Sequence, residues 1–212
     1  MYRKLLLAAI ICSGIGYLFA IADGNMIARW ILKPGTIILI ILLATVLRNA
    51  AKFYKRSIIA GLFISAIGDS FLLVSGNQWF TLGLVAFLIA HLVYICAFLT
   101  RWRFSFLYAL SLIPIAMYSF FLLQGLHEGM LAGGKNGLWG PILLYVIVIS
   151  VMIWSAVMSR SRLATAGAVL FFVSDSLLAW NMFVTPVPAA AYGVMISYYI
   201  AQFLLAASIE KS

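Results

Sequence analysis

The stretch WFTLGLVAFLIAHLVYICAFLT, residues 79–100, contains no Asp, Glu, Lys or Arg. At a rise of about 1.5 Å per residue, a helix of this length crosses a hydrocarbon layer roughly 30 Å thick. Its apolar residues are continuous and do not alternate, which selects a helix over a barrel strand. Within lipid those are the two forms that pair every backbone amide. Similar stretches extend outward in both directions, at about 5–22, 33–50, 57–75, 104–124, 138–158, 163–181 and 187–208. The 212 residues are 66% hydrophobic and 9% charged, against about half and a quarter in soluble domains. The expected fold is an all-α integral membrane protein of about eight transmembrane helices, one polytopic domain over residues 1–212.

Charge gives an orientation, because Lys and Arg of short loops are retained in the cytoplasm. With the N-terminus inside, Arg3, Lys4, Arg48, Lys52, Lys55, Arg56, Arg101, Arg103, Arg160, Arg162 and Lys211 are cytoplasmic. Arg29, Lys33 and Lys135 are left outside. Both termini are therefore expected in the cytoplasm. The net charge of +9 reads as topology and as contact with anionic membrane lipids. The basic residues form no groove or stripe, so no nucleic-acid partner is expected. The N-terminal stretch ends in a cleavage-like Ala20-Ile21-Ala22, but its apolar run exceeds the roughly 7–15 residues of a signal core and is expected to stay as a helix. Cys12 and Cys96 fit no metal or redox spacing and are expected as reduced packing residues. Gly125 to Gly137, with His127, Glu128 and Lys135, is expected as an outer loop. Nothing in the sequence signals an oligomeric state.

The chain echoes itself. GLFISAIGDSFLL (61–73) returns as GAVLFFVSDSLLA (167–179), aligning Gly61 with Gly167, Asp69 with Asp175 and Ser70 with Ser176. Pro34 and Pro141 each open a helix, and YICAFL (94–99) resembles YIAQFL (199–204). Two parallel four-helix pseudo-repeats, about 1–103 and 104–212, follow as an expectation, with the aspartates at one depth near the midplane.

A carboxylate inside lipid costs a few kcal/mol or more, so it faces the bundle interior and marks function by default. Asp69 shares a helix face with Gly61 and Ser65, and Asp175 with Gly167 and Phe171. His91 stands mid-helix, with Phe87, Tyr94 and Phe98 spaced to share its face; Tyr199 and Gln202 keep polar groups in the last helix. Lys33 either snorkels to headgroups or reaches inward to a carboxylate. Pro114 is expected to kink or open a helix. Trp30, Trp79, Trp102 and Trp139 fall at helix ends, as interfacial anchors do. There is no phosphate-binding glycine loop, no G-x-S-x-G and no H-E-x-x-H, and only two histidines. Neither a metal nor another cofactor is expected, and metal-free carboxyl chemistry is the simplest enzymatic reading. The alternative is a small-solute or proton-coupled transporter, since duplicated halves with midplane carboxylates also build carriers.

Taken together, Lys33-Pro34, GLFISAIGDSFLL, AHLVYICAF (90–98), GAVLFFVSDSLLAW (167–180) and YYIAQ (198–202) resemble the YhhN and TMEM86 family of lysoplasmalogenases over essentially the whole chain. The resemblance implies hydrolysis of the vinyl ether of a lysophospholipid within the bilayer, releasing a fatty aldehyde and glycerophosphocholine or glycerophosphoethanolamine. It implies a catalytic set of Asp69, His91 and Asp175, with Lys33, Tyr94, Tyr199 and Gln202 toward substrate. Such hydrolysis needs a carboxylic acid to protonate carbon and a carboxylate to steady the resulting cation. Two carboxyls in one water-poor site can divide those roles. Asp175 is expected as the acid, because its stretch is the more apolar, and Asp69 as the stabiliser. The expected membrane is a bacterial inner membrane.

Overall fold

The structure, a computed structural model, describes residues 2–48 and 51–210. Lys211, assigned above to the cytoplasm, and Asn49-Ala50, the end of the expected second span, lie outside the described residues. The described residues form eight long helices: α1 (Tyr2–Ala22), α2 (Met26–Val46), α3 (Lys52–Phe71), α4 (Asn77–Leu99), α6 (Leu112–Ala132), α7 (Trp139–Met158), α8 (Arg162–Phe183) and α9 (Ala190–Ala207). Two short pieces join them, the single turn α5 (Phe106–Ala109) and a 3₁₀ turn at Asn136–Leu138.

Seven of these segments are long and apolar enough to cross a membrane. α3 is the remaining long helix, with Lys52, Lys55 and Arg56 in its first turns and Asp69 in its last. It is nevertheless central, burying Ile58, Leu62 and Ser65 completely. The outer surface of the bundle is apolar: Ile11, Phe19, Phe63 and Phe120 are each at least 60% exposed. That is a surface solvated by lipid, as in a multi-pass integral membrane protein.

Because lipid tails are as apolar as leucine, packing inside such a bundle rests on close fit between helices. α3 packs on α4 and α8 on α9; α1 and α2 flank one side, and α6 and α7 the other. Glycine permits the closest of these approaches. The Tyr94 ring of α4 lies on the bare α-carbon of Gly61, and Phe87 on that of Gly68. On the other side Gly167 faces the Ala201 carbonyl and Leu205. Gly76, at φ 125°, makes the tight turn from α3 to α4, a conformation closed to side-chain-bearing residues. The start of α1 and the segment just after α9 meet at one end of the bundle, where Arg3 Nη2 is 2.8 Å from Glu210 Oε2.

Gly61→Ala is expected to lower stability by about 1–3 kcal/mol, the usual cost of overpacking. Its methyl would fall within the Tyr94 ring. Thermal unfolding in detergent measures it, and an unchanged midpoint would contradict the packing described.

Several sequence expectations need correction. Pro34 does not open the second helix. Asn25 does, its Oδ1 accepting from the Ala28 N–H at 3.0 Å, and Pro34 lies inside α2. The fifth span sits further along than 104–124, because the chain crosses from α4 as extended backbone, with the Arg103 N–H bonded to the Met158 carbonyl at 3.1 Å. α6 consequently runs through most of the expected 125–137 loop. Its glycines are packing positions: Gly125 lies against Trp180 and Gly129 against the Phe183 backbone. Cys12 and Cys96 are free, and both are exposed on the bundle surface and not packed inside. The aspartates do not occupy matching places in their helices. Asp69 is in the last turn of α3, whereas Asp175 stands two turns before the end of α8.

Candidate active site

A cavity of about 750 Å³ enters the bundle at the end where α3 turns into α4 and α8 leads toward α9. Asp69 and Asp175 both line it, together with Lys33, Arg29, Phe87 and Tyr198. A smaller, mainly apolar pocket of about 50 Å³ lies beside Asp175 and Tyr145, walled by Leu122, Ile142, Ile149 and Phe172.

Asp69 is buried and has both oxygens engaged. Lys33 Nζ of α2 is 3.4 Å from its Oδ1, and the Tyr198 hydroxyl of α9 donates to its Oδ2 at 2.8 Å. Lys33 therefore reaches inward to a carboxylate and not outward to headgroups, and this pairing is what makes a carboxylate at 1% exposure tolerable. A buried chain fixes Tyr198 in turn. Gln202 Nε2 donates to its oxygen at 3.1 Å, and the Tyr94 hydroxyl donates to Gln202 Oε1 at 2.8 Å.

Asp175 is held differently. The Tyr145 hydroxyl of α7 donates to its Oδ2 at 2.6 Å, and His91 Nε2 of α4 lies 3.3 Å from the same oxygen and 2.9 Å from the Tyr145 oxygen. Since Tyr145 spends its proton on Asp175, His91 is the donor, which makes Nε2 the protonated nitrogen. Nδ1 of His91 is buried without a partner, and a bare lone pair there costs less than an unmet N–H. Both contacts fall on Oδ2, so Oδ1 of Asp175 has no hydrogen bond from the described residues, while the side chain remains 15% exposed.

Aromatic rings separate the two centres. Phe171 lies edge-on to His91 at 4.7 Å and to Tyr198 at 5.3 Å, and Phe87 packs on both Phe171 and Tyr198. The contacts cross over: the helix after Asp69 supplies the partner of Asp175, and the helix after Asp175 supplies the partner of Asp69.

Of the residues expected to face substrate, only Lys33 lines the cavity. Tyr94 and Gln202 are fully buried behind it, and Tyr199 bonds the Lys33 carbonyl at 3.5 Å. His91 is also fully buried, reaching the cavity only through Asp175. Sequence reasoning left out Tyr145 and Tyr198. The signal for Tyr145 is a hydroxyl in the middle of PILLYVIVIS, far from the interfaces where tyrosine usually sits. Among the described residues no three His, Cys, Asp or Glu side chains converge as metal ligands.

The YhhN family model matches residues 28–209. The chain is 37% identical to lysoplasmalogenase TMEM86B of Mus musculus over 152 residues, 71% of this chain and 62% of that protein. It is 32% identical over 170 residues to lysoplasmalogenase TMEM86A of Homo sapiens, covering 73% and 65% of the two chains. With the lysoplasmalogenase of Mycobacterium tuberculosis (strain CDC 1551 / Oshkosh) it shares 30% identity over 164 residues, 72% and 60%. The chain thus spans less than two thirds of the length of each of these relatives. No solved structure matches it. The family match runs from the first turn of α2 to the end of α9 and takes in both aspartates with all their partners; this chain belongs to the YhhN family.

Proposed function

We propose that this protein is a membrane lysoplasmalogenase, hydrolysing the vinyl ether of lysoplasmenylcholine or lysoplasmenylethanolamine by carboxyl acid/base chemistry. The observation that carries the reading is the unequal state of two carboxyls in one cavity. Asp69 is ion-paired and saturated, and Asp175 keeps one oxygen unbonded. Relatives named lysoplasmalogenase support the same reading and do not favour a transporter.

Asp175 gives the proton on Oδ1 to the β carbon of the vinyl ether, and positive charge develops across the α carbon and the ether oxygen. Asp69, kept anionic by Lys33, stabilises that oxocarbenium ion, as paired carboxyls do in glycosidases, an analogy of mechanism alone. Water then adds to the α carbon and returns a proton to Asp175. The hemiacetal collapses, its hydroxyl proton passing to the glycerol oxygen as aldehyde and alcohol separate. His91 and Tyr145 hold the Oδ2 side of Asp175, which points the proton-bearing oxygen at the substrate. The apolar pocket beside Asp175 takes the first carbons of the alkenyl chain.

The salt bridge between Arg3 and Glu210 supports termini on one side of the membrane. Charge asymmetry makes that side the cytoplasm. The mycobacterial relative favours a bacterial inner membrane, and the crossed contacts of the aspartates favour two parallel halves.

Fatty-aldehyde release from a defined lysoplasmalogen by purified protein in detergent tests the activity. Release by wild type is expected, and its absence across headgroups and pH would overturn the assignment. Tyr145→Phe is expected to lower kcat about ten- to a hundredfold, as loss of one hydrogen bond to the carboxylate that develops when Asp175 gives up its proton does, with KM within about twofold. Steady-state aldehyde release gives both constants.

A further inference from the structure

Arg29 and Lys135 are two cations without a counter-charge among the described residues. They belong to the three basic residues that charge asymmetry leaves at the outer end of the bundle, and all three line the same cavity. The third, Lys33, is matched by Asp69. Arg29 lies one turn outward of Lys33 on α2, about 6 Å along the axis. It sits beside Tyr17, and its Nε is buried with no hydrogen-bond partner. Lys135 follows α6, where it donates to the Met182 carbonyl at 3.3 Å and lies 5.3 Å from the centre of the Phe183 ring.

The chain has five carboxylates. Asp69 pairs with Lys33 and Glu210 with Arg3, while Asp175 is hydrogen-bonded by Tyr145 and His91. Asp23 and Glu128 do not line the cavity, and among the described residues no carboxylate comes within 4.0 Å of Arg29 or Lys135. The cavity mouth is left with unneutralised positive charge, one turn outward of the chemistry. An anion is the ligand that answers it. Guanidinium suits a phosphate by its forked donors, and an ammonium serves as a point charge.

We propose that Arg29 and Lys135 form a phosphodiester-binding site. They hold the glycerophosphoryl group of a lysophospholipid at the mouth, so that the glycerol extends inward and the sn-1 chain arrives between Asp69 and Asp175. This assignment rests on the hydrolase reading for its choice of ligand, yet it is tested without turnover. The probe is hexadecyl lysophosphocholine, a saturated ether with no vinyl ether to hydrolyse, bound to the full chain in maltoside detergent, which contains no phosphate. Neutral hexadecylglycerol is the companion ligand.

The Arg29→Gln, Lys135→Gln double variant is expected to raise Kd for the phosphocholine lipid at least tenfold. Kd for hexadecylglycerol is expected to move less than twofold, which also reports that the variant is folded. Equal weakening of both ligands, or of neither, would overturn the site. Inorganic phosphate in tenfold excess over the lipid is expected to leave it bound; displacement would make free phosphate the ligand and overturn the lipid assignment. Aldehyde release with no charge-dependent binding removes this site alone. Charge-dependent binding with no aldehyde release removes the hydrolase reading alone.

Discussion

Asp175→Asn is expected to lower kcat for aldehyde release by about 10²–10⁴-fold, the contribution usual for a general acid or base in the transition state. The amide retains the shape of the carboxyl and can still meet Tyr145 and His91, so the loss reports missing proton transfer and not a collapsed site. KM changes little, since the cavity wall is preserved. Rapid aldehyde trapping, with circular dichroism to verify helix content, is the measurement. Asp69→Asn is the necessary companion. If that variant alone is inactive while Asp175→Asn keeps full turnover, the roles are reversed and Lys33 must support an acid instead of an anion.

Lys33→Met is expected to destabilise the protein by about 3–5 kcal/mol, the range for removing one member of a buried ion pair and leaving its partner unpaired. The Tyr198 hydroxyl, 2.8 Å from Asp69 in the native chain, is a remaining donor, but one hydroxyl does not replace an ammonium. The double variant Lys33→Met, Asp69→Asn is expected to recover most of the lost stability and none of the activity. A methionine and a neutral amide remove the uncompensated charge along with the anion proposed to steady the cation. Denaturant unfolding in mixed micelles separates the cases. A Lys33→Met protein as stable as wild type would show the ion pair to be energetically idle.

How much of this is legible in the sequence depends on the range of the interaction. The eight long helices were visible because hydrophobic length is a local property, and edges missed by several residues trace to local features of another kind. Asn25 capped a helix earlier than Lys33-Pro34 suggested. Gly125 and Gly129 looked like loop residues, but their bare α-carbons serve Trp180 and Phe183 of a helix some fifty residues away. The face of Gly61, Ser65 and Asp69 could be read from spacing, though the Tyr94 ring that fills it could not.

Asp69, Asp175, His91 and Lys33 stood out for one reason: each is a polar group whose transfer into hydrocarbon is expensive, so each required a partner that the sequence does not name. By itself the sequence determined that this chain spans a membrane as a helical bundle and singled out two carboxyls inside it. The tertiary structure decided the pairing: Lys33 and Tyr198 with Asp69, His91 and Tyr145 with Asp175, and Tyr94, Tyr199 and Gln202 behind the cavity wall. The physical reason is that solvation preference is written residue by residue along the chain. A hydrogen bond or ion pair at about 3 Å depends on how helices far apart in sequence cross and rotate, which is settled only when they pack.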